Sequence, residues 1–148
     1  MAYVPSNVHW FLANLVEEIR VEGTKRNIVH INYVIVEASS PEEAYTRALE
    51  IGEQGARDYL NMHGKKVTVR FRGIENLDVI YEPLEHGCEI MFREKLGVSE
   101  SSIKKLLSPK EKLEVFRPIR TRPGRPDYAS KEIINEVRQR IRKSTKKT

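Results

Sequence analysis

The chain has 148 residues, of which 39% are hydrophobic and 32% are charged, so it has room for one sizeable domain with a hydrophobic core and an appendage. It has no run of about 18 apolar residues and no secretory signal pattern at its N-terminus, so we expect neither a membrane span nor export. The single cysteine, Cys88, excludes an intrachain disulfide and fits a reducing cytoplasm, where we expect it to be a small buried residue.

Charge is distributed unevenly along the chain. Residues 1–98 contain 11 Lys and Arg against 15 Asp and Glu, a net charge of −4, whereas residues 99–148 contain 15 against 6, a net charge of +9. This asymmetry predicts an acidic sheet domain over 1–98 and a basic C-terminal extension over 99–148.

Residues 9–21 and 27–38 have the composition of two strands, and the polar residues 22–25 between them predict a hairpin. Both strands are apolar on both faces. A single helix covers only one face of a sheet, so the second face needs another cover. Either the C-terminal helices fold back over it or a second copy of the chain binds there.

Residues 40–64 predict one long helix. Ser40 is a good N-cap with Glu43 at the spacing of a capping box, and Gly64 is suited to ending the helix. One face of this helix is built mainly from small residues, which indicates close approach to a sheet. That face comprises Ala44, Ala48, Ile51, Gly52, Gly55 and Tyr59.

Two further strands are predicted after the helix. Residues 65–73 alternate between apolar and polar side chains, Gly73 marks a bulge or bend, and the apolar pattern resumes as far as Tyr81. Residues 88–94 form the last predicted strand. The fold class is therefore α+β, a mainly antiparallel four-stranded sheet (ββαββ) with one long helix packed on it, followed by a basic helical extension.

Three stretches form a recognisable set: the opening Trp10-Phe11-Leu12-Ala13-Asn14-Leu15, the helix start Ser40-Pro41-Glu42-Glu43-Ala44, and the later Tyr59-Leu60-Asn61 with Gly64 and Val69-x-Phe71. Together they resemble a small bacterial family, domain of unknown function 4288. The resemblance covers about residues 9–95. It supports the fold and implies a bacterial origin, and it brings no activity and no catalytic residues.

In the extension, Ser99 caps a short helix, and residues 117–128 form a connector rich in proline and arginine. Ser130 then caps a final helix predicted over residues 130–143. The connector contains Gly124-Arg125-Pro126, a core that can enter the DNA minor groove and that resembles the arm of DNA invertases. Pro123 before the glycine and the lack of a following recognition helix depart from those patterns. The alternative is a strap that grips the acidic domain or a partner protein.

No metal-ligand spacing, phosphate loop or catalytic motif is present, so we predict no catalytic, metal or cofactor residues. Glu17 is expected opposite His30 across the hairpin as a surface pair, and the acidic residues between 75 and 85 are expected in a solvated loop. A site assembled in space from distant residues stays open, and with it an enzyme.

The sequence favours a non-enzymatic protein–protein interaction module that binds an acidic protein or a second copy of itself, as a monomer or homodimer. The alternative is a protein that binds nucleic acid or the ribosome through its basic tail. The predicted contact residues for either partner are Arg117, Arg120, Arg122, Arg125, Arg138, Arg140, Arg142 and Lys143.

Overall fold

The computed structural model describes residues 4–118 and 124–146. The chain divides into two compact units, one formed by Met1–Ile90 with Pro126–Thr148 and the other by Met91–Arg125. The end of the basic extension thus belongs to the same unit as the sheet.

The first unit contains a four-stranded antiparallel sheet in the order β2-β1-β4-β3. Its elements in chain order are β1 (Trp10–Val21), β2 (Ile28–Glu37), α1 (Pro41–Gln54), β3 (Arg57–Leu60), β4 (Lys66–Val79) and a final helix, α3 (Lys131–Thr145). The predicted α+β class and its ββαββ order are confirmed.

The hairpin of β1 and β2 forms as predicted, with Trp10 opposite Glu37 and Ile19 opposite Ile28. Its turn is closed by Thr24, whose backbone N–H and hydroxyl both donate to the carbonyl of Val21, at 3.1 and 2.8 Å. The β-branched composition of β2, IVHINYVIVE, and the apolar and aromatic residues of β1 favour a long regular ladder here.

Helix α1 begins as predicted and ends earlier than predicted. The Ser40 hydroxyl accepts from the N–H of Glu43 at 3.1 Å, while the Glu43 carboxylate accepts from the N–H of Ser39 rather than from that of Ser40. The predicted continuation to Gly64 is wrong. Residues 57–60 form β3 because pairing with Lys66–Val69 of β4 gives their backbone groups sheet partners, and Gly64 lies in the β3–β4 turn with φ +73°.

The face of α1 made of small residues packs against the sheet. Ala44, Ala48 and Gly52 are buried, and a Cβ added at Gly52 would lie 2.4 Å from the Phe71 ring. The predicted close approach of helix and sheet is therefore confirmed at Gly52. Tyr59, expected on the same helical face, lies in β3 instead.

Of the two strands predicted after the helix, the first forms as β4 and the second does not form. Gly73 does not end a strand but lies at a bulge inside β4, where the pairing with β1 shifts between Val16 and Glu17. Residues 88–94 are not a strand, contrary to the prediction: the structure gives them no strand pairing, and their short apolar run Ile90, Met91 and Phe92 stays exposed.

The core lies between α1 and one face of the sheet. One buried cluster is centred on Phe11, Ala13 and Leu15 of β1 with Val36 of β2, and a second is formed farther along the sheet by Ile19, Val21, Val67 and Val69. These β1 residues alternate, so the sheet presents its other face away from α1.

The second unit contains α2 (Glu100–Leu106), capped as predicted by Ser99, and two short 3-10 turns (Lys110–Lys112 and Glu114–Phe116). Its described apolar side chains are mostly exposed, Leu107 and Val115 among them. Cys88, in the first unit, is partly exposed, so the expectation of a buried cysteine is wrong.

Candidate protein-binding edge and basic helix

Strand β2 is an outer strand of the sheet and carries a row of exposed apolar side chains. On the face away from α1, Val29, Ile31, Tyr33 and Ile35 have exposed fractions of 54, 39, 58 and 47%. On the same face of β1, Leu12 and Asn14 are buried. The exposed row, which we call the β2 stripe, is thus a property of the outer strand itself.

The backbone N–H and C=O groups of the same four residues point away from the sheet. The N–H of Ala38 donates to the carbonyl of His9 at 2.9 Å. In the β1–β2 register, the same hydrogen-bonded kind of pair recurs at every second residue. The even-numbered residues of β2 therefore bond to β1, and its odd-numbered residues direct N–H and C=O groups away from the sheet. Within the described residues β2 has no second strand neighbour.

Glu37 limits this free edge at one end. Its carbonyl, which also points outward, accepts a hydrogen bond from the Arg47 guanidinium of α1 at 2.6 Å. The edge with unpaired backbone groups thus comprises the four residues of the β2 stripe. These residues expose both their apolar side chains and their backbone N–H and C=O groups.

The opposite edge of the sheet is short and partly covered. Strand β3 has four residues, and beyond its end Asn61 pairs with Ser130 in an isolated antiparallel bridge. Asn61 is 2% exposed, and its Nδ2 donates to the carbonyl of Asp127 at 3.0 Å. Its Oδ1 accepts from the N–H groups of His63 and Lys65 at 2.9 and 3.0 Å.

Aromatic residues complete this attachment. The Tyr59 hydroxyl donates to the carbonyl of Tyr128, and burial raises the pKa of the Tyr59 phenol. The Tyr128 ring meets the His30 ring edge-on, with 5.3 Å between centroids. Residues 127–130, which follow the connector, are therefore held on the sheet at the point where α3 begins, and we call them the anchor segment.

Glu17 lies opposite His30 in the β1–β2 register, as predicted. Among the described residues no group of three or more His, Cys, Asp and Glu is placed to hold a metal ion. The loop expected for the acidic residues holds only for those after β4: Glu75 and Asp78 lie within β4, where the Glu75 carboxylate accepts from Asn14 Nδ2 at 3.2 Å. The Glu82 carboxylate, after β4, accepts from the N–H of Glu89 at 2.8 Å. No described helix is long and apolar enough to cross a membrane.

The described members of the eight predicted contact residues fall in both units of the chain. Arg117 is paired with Glu114 in the second unit, Arg125 is exposed, and Arg120 and Arg122 lie outside the described residues. The other four are exposed on α3, where Arg140 is paired with Glu136. These four are Arg138, Arg140, Arg142 and Lys143.

Helix α3 also exposes apolar side chains. Ser130 caps it as predicted, its hydroxyl accepting from the N–H of Ile133 at 3.2 Å. Ile133, Val137 and Ile141, one helical turn apart, are 59, 40 and 58% exposed, so the helix has an open apolar face beside its arginines.

On the outer face of the sheet, charged residues are mutually satisfied. The Glu18 carboxylate accepts hydrogen bonds from Asn27 and Arg72, both at 2.6 Å, which lower its pKa. The Asp58 carboxylate lies 3.0 Å from Arg70, which lowers the pKa of that carboxyl as well. The two carboxylates on this face are thus ion-paired with neighbouring side chains of the sheet, in contrast to the apolar β2 stripe.

A comparison with protein-family models matches residues 10–92 to a domain of unknown function, DUF4288. The chain belongs to the DUF4288 family. The matched region includes all four strands and α1 and ends before α2, as the resemblance noted in the sequence implies. No curated protein and no solved structure matches the chain.

The sequence predicts the contact residues of this DUF4288 protein in the tail, and for the hairpin it predicts only that a second apolar face is covered by the C-terminal helices or by a second copy, without singling out β2. A further signal lay in residues 28–37, which include no lysine, arginine, proline or glycine. Those residues are the usual means of blocking an outer strand, so their absence could have singled out β2.

Proposed function

We propose that this DUF4288 protein is a non-enzymatic protein–protein interaction module of the bacterial cytoplasm that binds a polypeptide strand along β2. The observation that carries the proposal is the β2 stripe, where apolar side chains and unpaired backbone groups are exposed on the same residues. A strand added to such an edge gains main-chain hydrogen bonds and places alternate side chains against the stripe.

The contrast between the two edges of the sheet supports this proposal. Strand β3 is short and carries the charged residues Arg57 and Asp58, and the anchor segment contacts the chain just beyond its end. All three features disfavour the addition of another strand. Strand β2 is ten residues long and has none of these protections. A long unprotected edge promotes aggregation unless a partner occupies it, so pairing is the role that best explains it.

Two histidines, one near the start of β2 and one in the β3–β4 turn, have structural contacts. His30 contacts Tyr128, and His63 lies 3.8 Å from the Asp127 carboxylate. Both histidines thus border the anchor segment, which favours a binding role over a catalytic one.

A direct test compares the intact chain with an Ile31→Lys/Tyr33→Lys variant. Each is immobilised and incubated with nuclease-treated lysate, and any protein retained is identified, purified and titrated by calorimetry. Both side chains are exposed, so the variant should fold and keep its circular dichroism spectrum. We expect at least about tenfold weaker binding, since lysines block an edge strand. Equal affinity of every purified partner for the two forms would refute binding along β2.

The second candidate function is nucleic-acid or ribosome binding, and the observation that favours it is the exposed arginine-bearing surface of α3 within an extension of net charge +9. The test replaces Arg138, Arg140, Arg142 and Lys143 by glutamine in the full chain and measures anisotropy with labelled duplex DNA and structured RNA. Binding that weakens with salt and with these changes supports this candidate. Absence of any salt-dependent binding by the unmodified chain removes it.

A further inference from the structure

We propose that the strand that binds β2 is β2 of a second copy of this chain, paired antiparallel so that Val29 lies opposite Ile35 and Ile31 lies opposite Tyr33 of the other copy. This inference rests on the proposed function, because it names the partner of the same edge. The result is a two-fold symmetric dimer with one continuous eight-stranded sheet.

The β2 stripe is complementary to itself in this register. All four stripe residues meet apolar residues of the other copy, and each Tyr33 ring meets the β-branched side chain of Ile31. Aromatic and β-branched residues are favourable cross-strand pairs. A symmetric interface requires this property, since the same surface must serve both copies.

The backbone supports the same register. The outward N–H and C=O groups of Val29, Ile31, Tyr33 and Ile35 would form the hydrogen-bonded pairs, with none left over. Shifting the register by two residues toward the C-terminus would place Glu37 opposite Val29 and would need the Glu37 carbonyl. That carbonyl already accepts from Arg47 at 2.6 Å.

A shift in the other direction is also unfavourable. It would place Ile31 opposite itself and Ile35 opposite the polar Asn27, whose side-chain Nδ2 already donates to Glu18 at 2.6 Å, so one apolar pair of the stripe would be lost. The proposed register instead brings Asn32, a partly buried residue on the helix side, opposite itself on the two-fold axis. Two asparagine amides can satisfy each other there, because each has both a donor and an acceptor.

The decisive experiment measures the mass of four full-length forms by sedimentation equilibrium. They are the unmodified chain, Ile31→Lys/Tyr33→Lys, Ile31→Glu/Tyr33→Glu and Ile31→Lys/Tyr33→Glu. We expect the unmodified chain to be a dimer and the two like-charged variants to be monomers that form a dimer when mixed. The Lys/Glu variant should dimerise alone, because position 31 of one copy faces position 33 of the other.

Two controls fix the surface and the register. A Val137→Lys/Ile141→Lys variant removes an equally exposed apolar pair from α3 and should leave the dimer intact. In a Cys88→Ser background, Asn32→Cys should form a disulfide-linked dimer on mild oxidation, because opposed Cα atoms at a non-hydrogen-bonded pair lie about 4.5 Å apart. Val29→Cys should not, because the two copies of position 29 lie far apart in this register.

The outcomes separate this inference from the proposed function. An unmodified chain that stays monomeric at about 100 µM, or a dimer that survives the lysine changes, overturns the inference. If the chain is monomeric but binds another purified protein through β2, the interaction function stands and only the self-pairing is wrong. A monomer that binds nothing through β2 overturns both.

Discussion

At the scale of single residues, two positions decide how elements are held together. Gly52 allows α1 to lie against Phe71, and Asn61 holds the anchor segment on the sheet. Both act through a specific contact rather than through the burial of a large side chain. Their effects on stability should therefore be separable from general core packing.

Gly52→Ala should destabilise the protein although alanine favours helix by about 1 kcal/mol. The added Cβ would lie 2.4 to 2.5 Å from three atoms of the Phe71 ring, which is confined between helix and sheet. Overpacking of this kind costs about 1–3 kcal/mol, measured as the loss in free energy of unfolding by urea. The control is Gly55→Ala, where the nearest atom is the end of the flexible Glu17 side chain. An equal effect at both positions would contradict the packing argument.

Asn61→Ala should release the anchor segment. The substitution removes the bond to the Asp127 carbonyl and leaves the N–H groups of His63 and Lys65 without their side-chain acceptor. Unpaired groups of this kind cost about 1–3 kcal/mol each, and amide exchange near Ser130 should accelerate.

The matched control for this prediction is Asn61→Asp. It keeps the two bonds in the β3–β4 turn but cannot donate to Asp127, so the turn should stay protected while the anchor segment loosens. Unchanged exchange near Ser130 in both variants would show that the anchor segment is held by other contacts.

At the scale of elements, the charged outer face of the sheet predicts how stability depends on pH. Hydrogen bonds from Asn27 and Arg72 lower the pKa of Glu18 in the folded protein, and Arg70 lowers that of Asp58. A lowered pKa adds stability above the unfolded-state pKa, and that stability is lost as the pH falls through the folded-state value. Unfolding by urea should therefore become easier as the pH decreases below about 4.5.

The matched variant is Asn27→Ala, which removes the largest contribution to the lowered pKa of Glu18. It should be destabilised at pH 6 and should lose less of its remaining stability between pH 5 and pH 3 than the unmodified chain. Parallel pH profiles for the two forms would show that this carboxylate does not contribute to the acid sensitivity.

Elements with a strong periodic pattern were predictable from sequence, and short ones were not. The strand-like composition of residues 9–21 and 27–38 and the caps at Ser40, Ser99 and Ser130 correctly located β1, β2 and the helix starts. Strand β3 was missed because Arg57–Leu60 continues the helical spacing of α1, and only pairing with β4 makes it a strand. Gly73 was read correctly as a bulge, but the length of β4 depends on its pairing with β1.

The candidate binding edge was only partly predictable for a similar reason. The sequence shows that the hairpin is apolar on both faces, because apolar residues occupy both the odd and the even positions of its strands. That β2 is an outer strand cannot be read from the sequence, because it depends on the sheet order. In that order β4 pairs with β1, and β2 has β1 as its one neighbour in the described sheet. The predicted arginines, by contrast, are conspicuous in the sequence but are distributed between α3 and the other unit.

At the scale of the whole molecule, the unit that contains the sheet combines three features. They are a sheet face whose carboxylates are ion-paired, the exposed apolar edge at β2, and the basic helix α3. The anchor segment links the last two, because it contacts His30 of β2 through Tyr128 and leads into α3. A partner bound along β2, as proposed, would lie on the same unit as the start of this basic helix. The interaction function predicts that substitutions in β2 affect binding more than substitutions in α3.

The most direct measurement is residue-resolved amide hydrogen exchange of β2 in the full chain, from dilute to about 100 µM protein. The amides of residues 30, 32, 34 and 36 bond to β1 and serve as internal controls that are protected throughout. If β2 binds a second copy, the amides of Val29, Ile31, Tyr33 and Ile35 become equally protected as the concentration rises, and the Ile31→Lys/Tyr33→Lys variant loses that protection. Outward amides that exchange freely at every concentration, and also in the presence of any purified partner, would contradict the account.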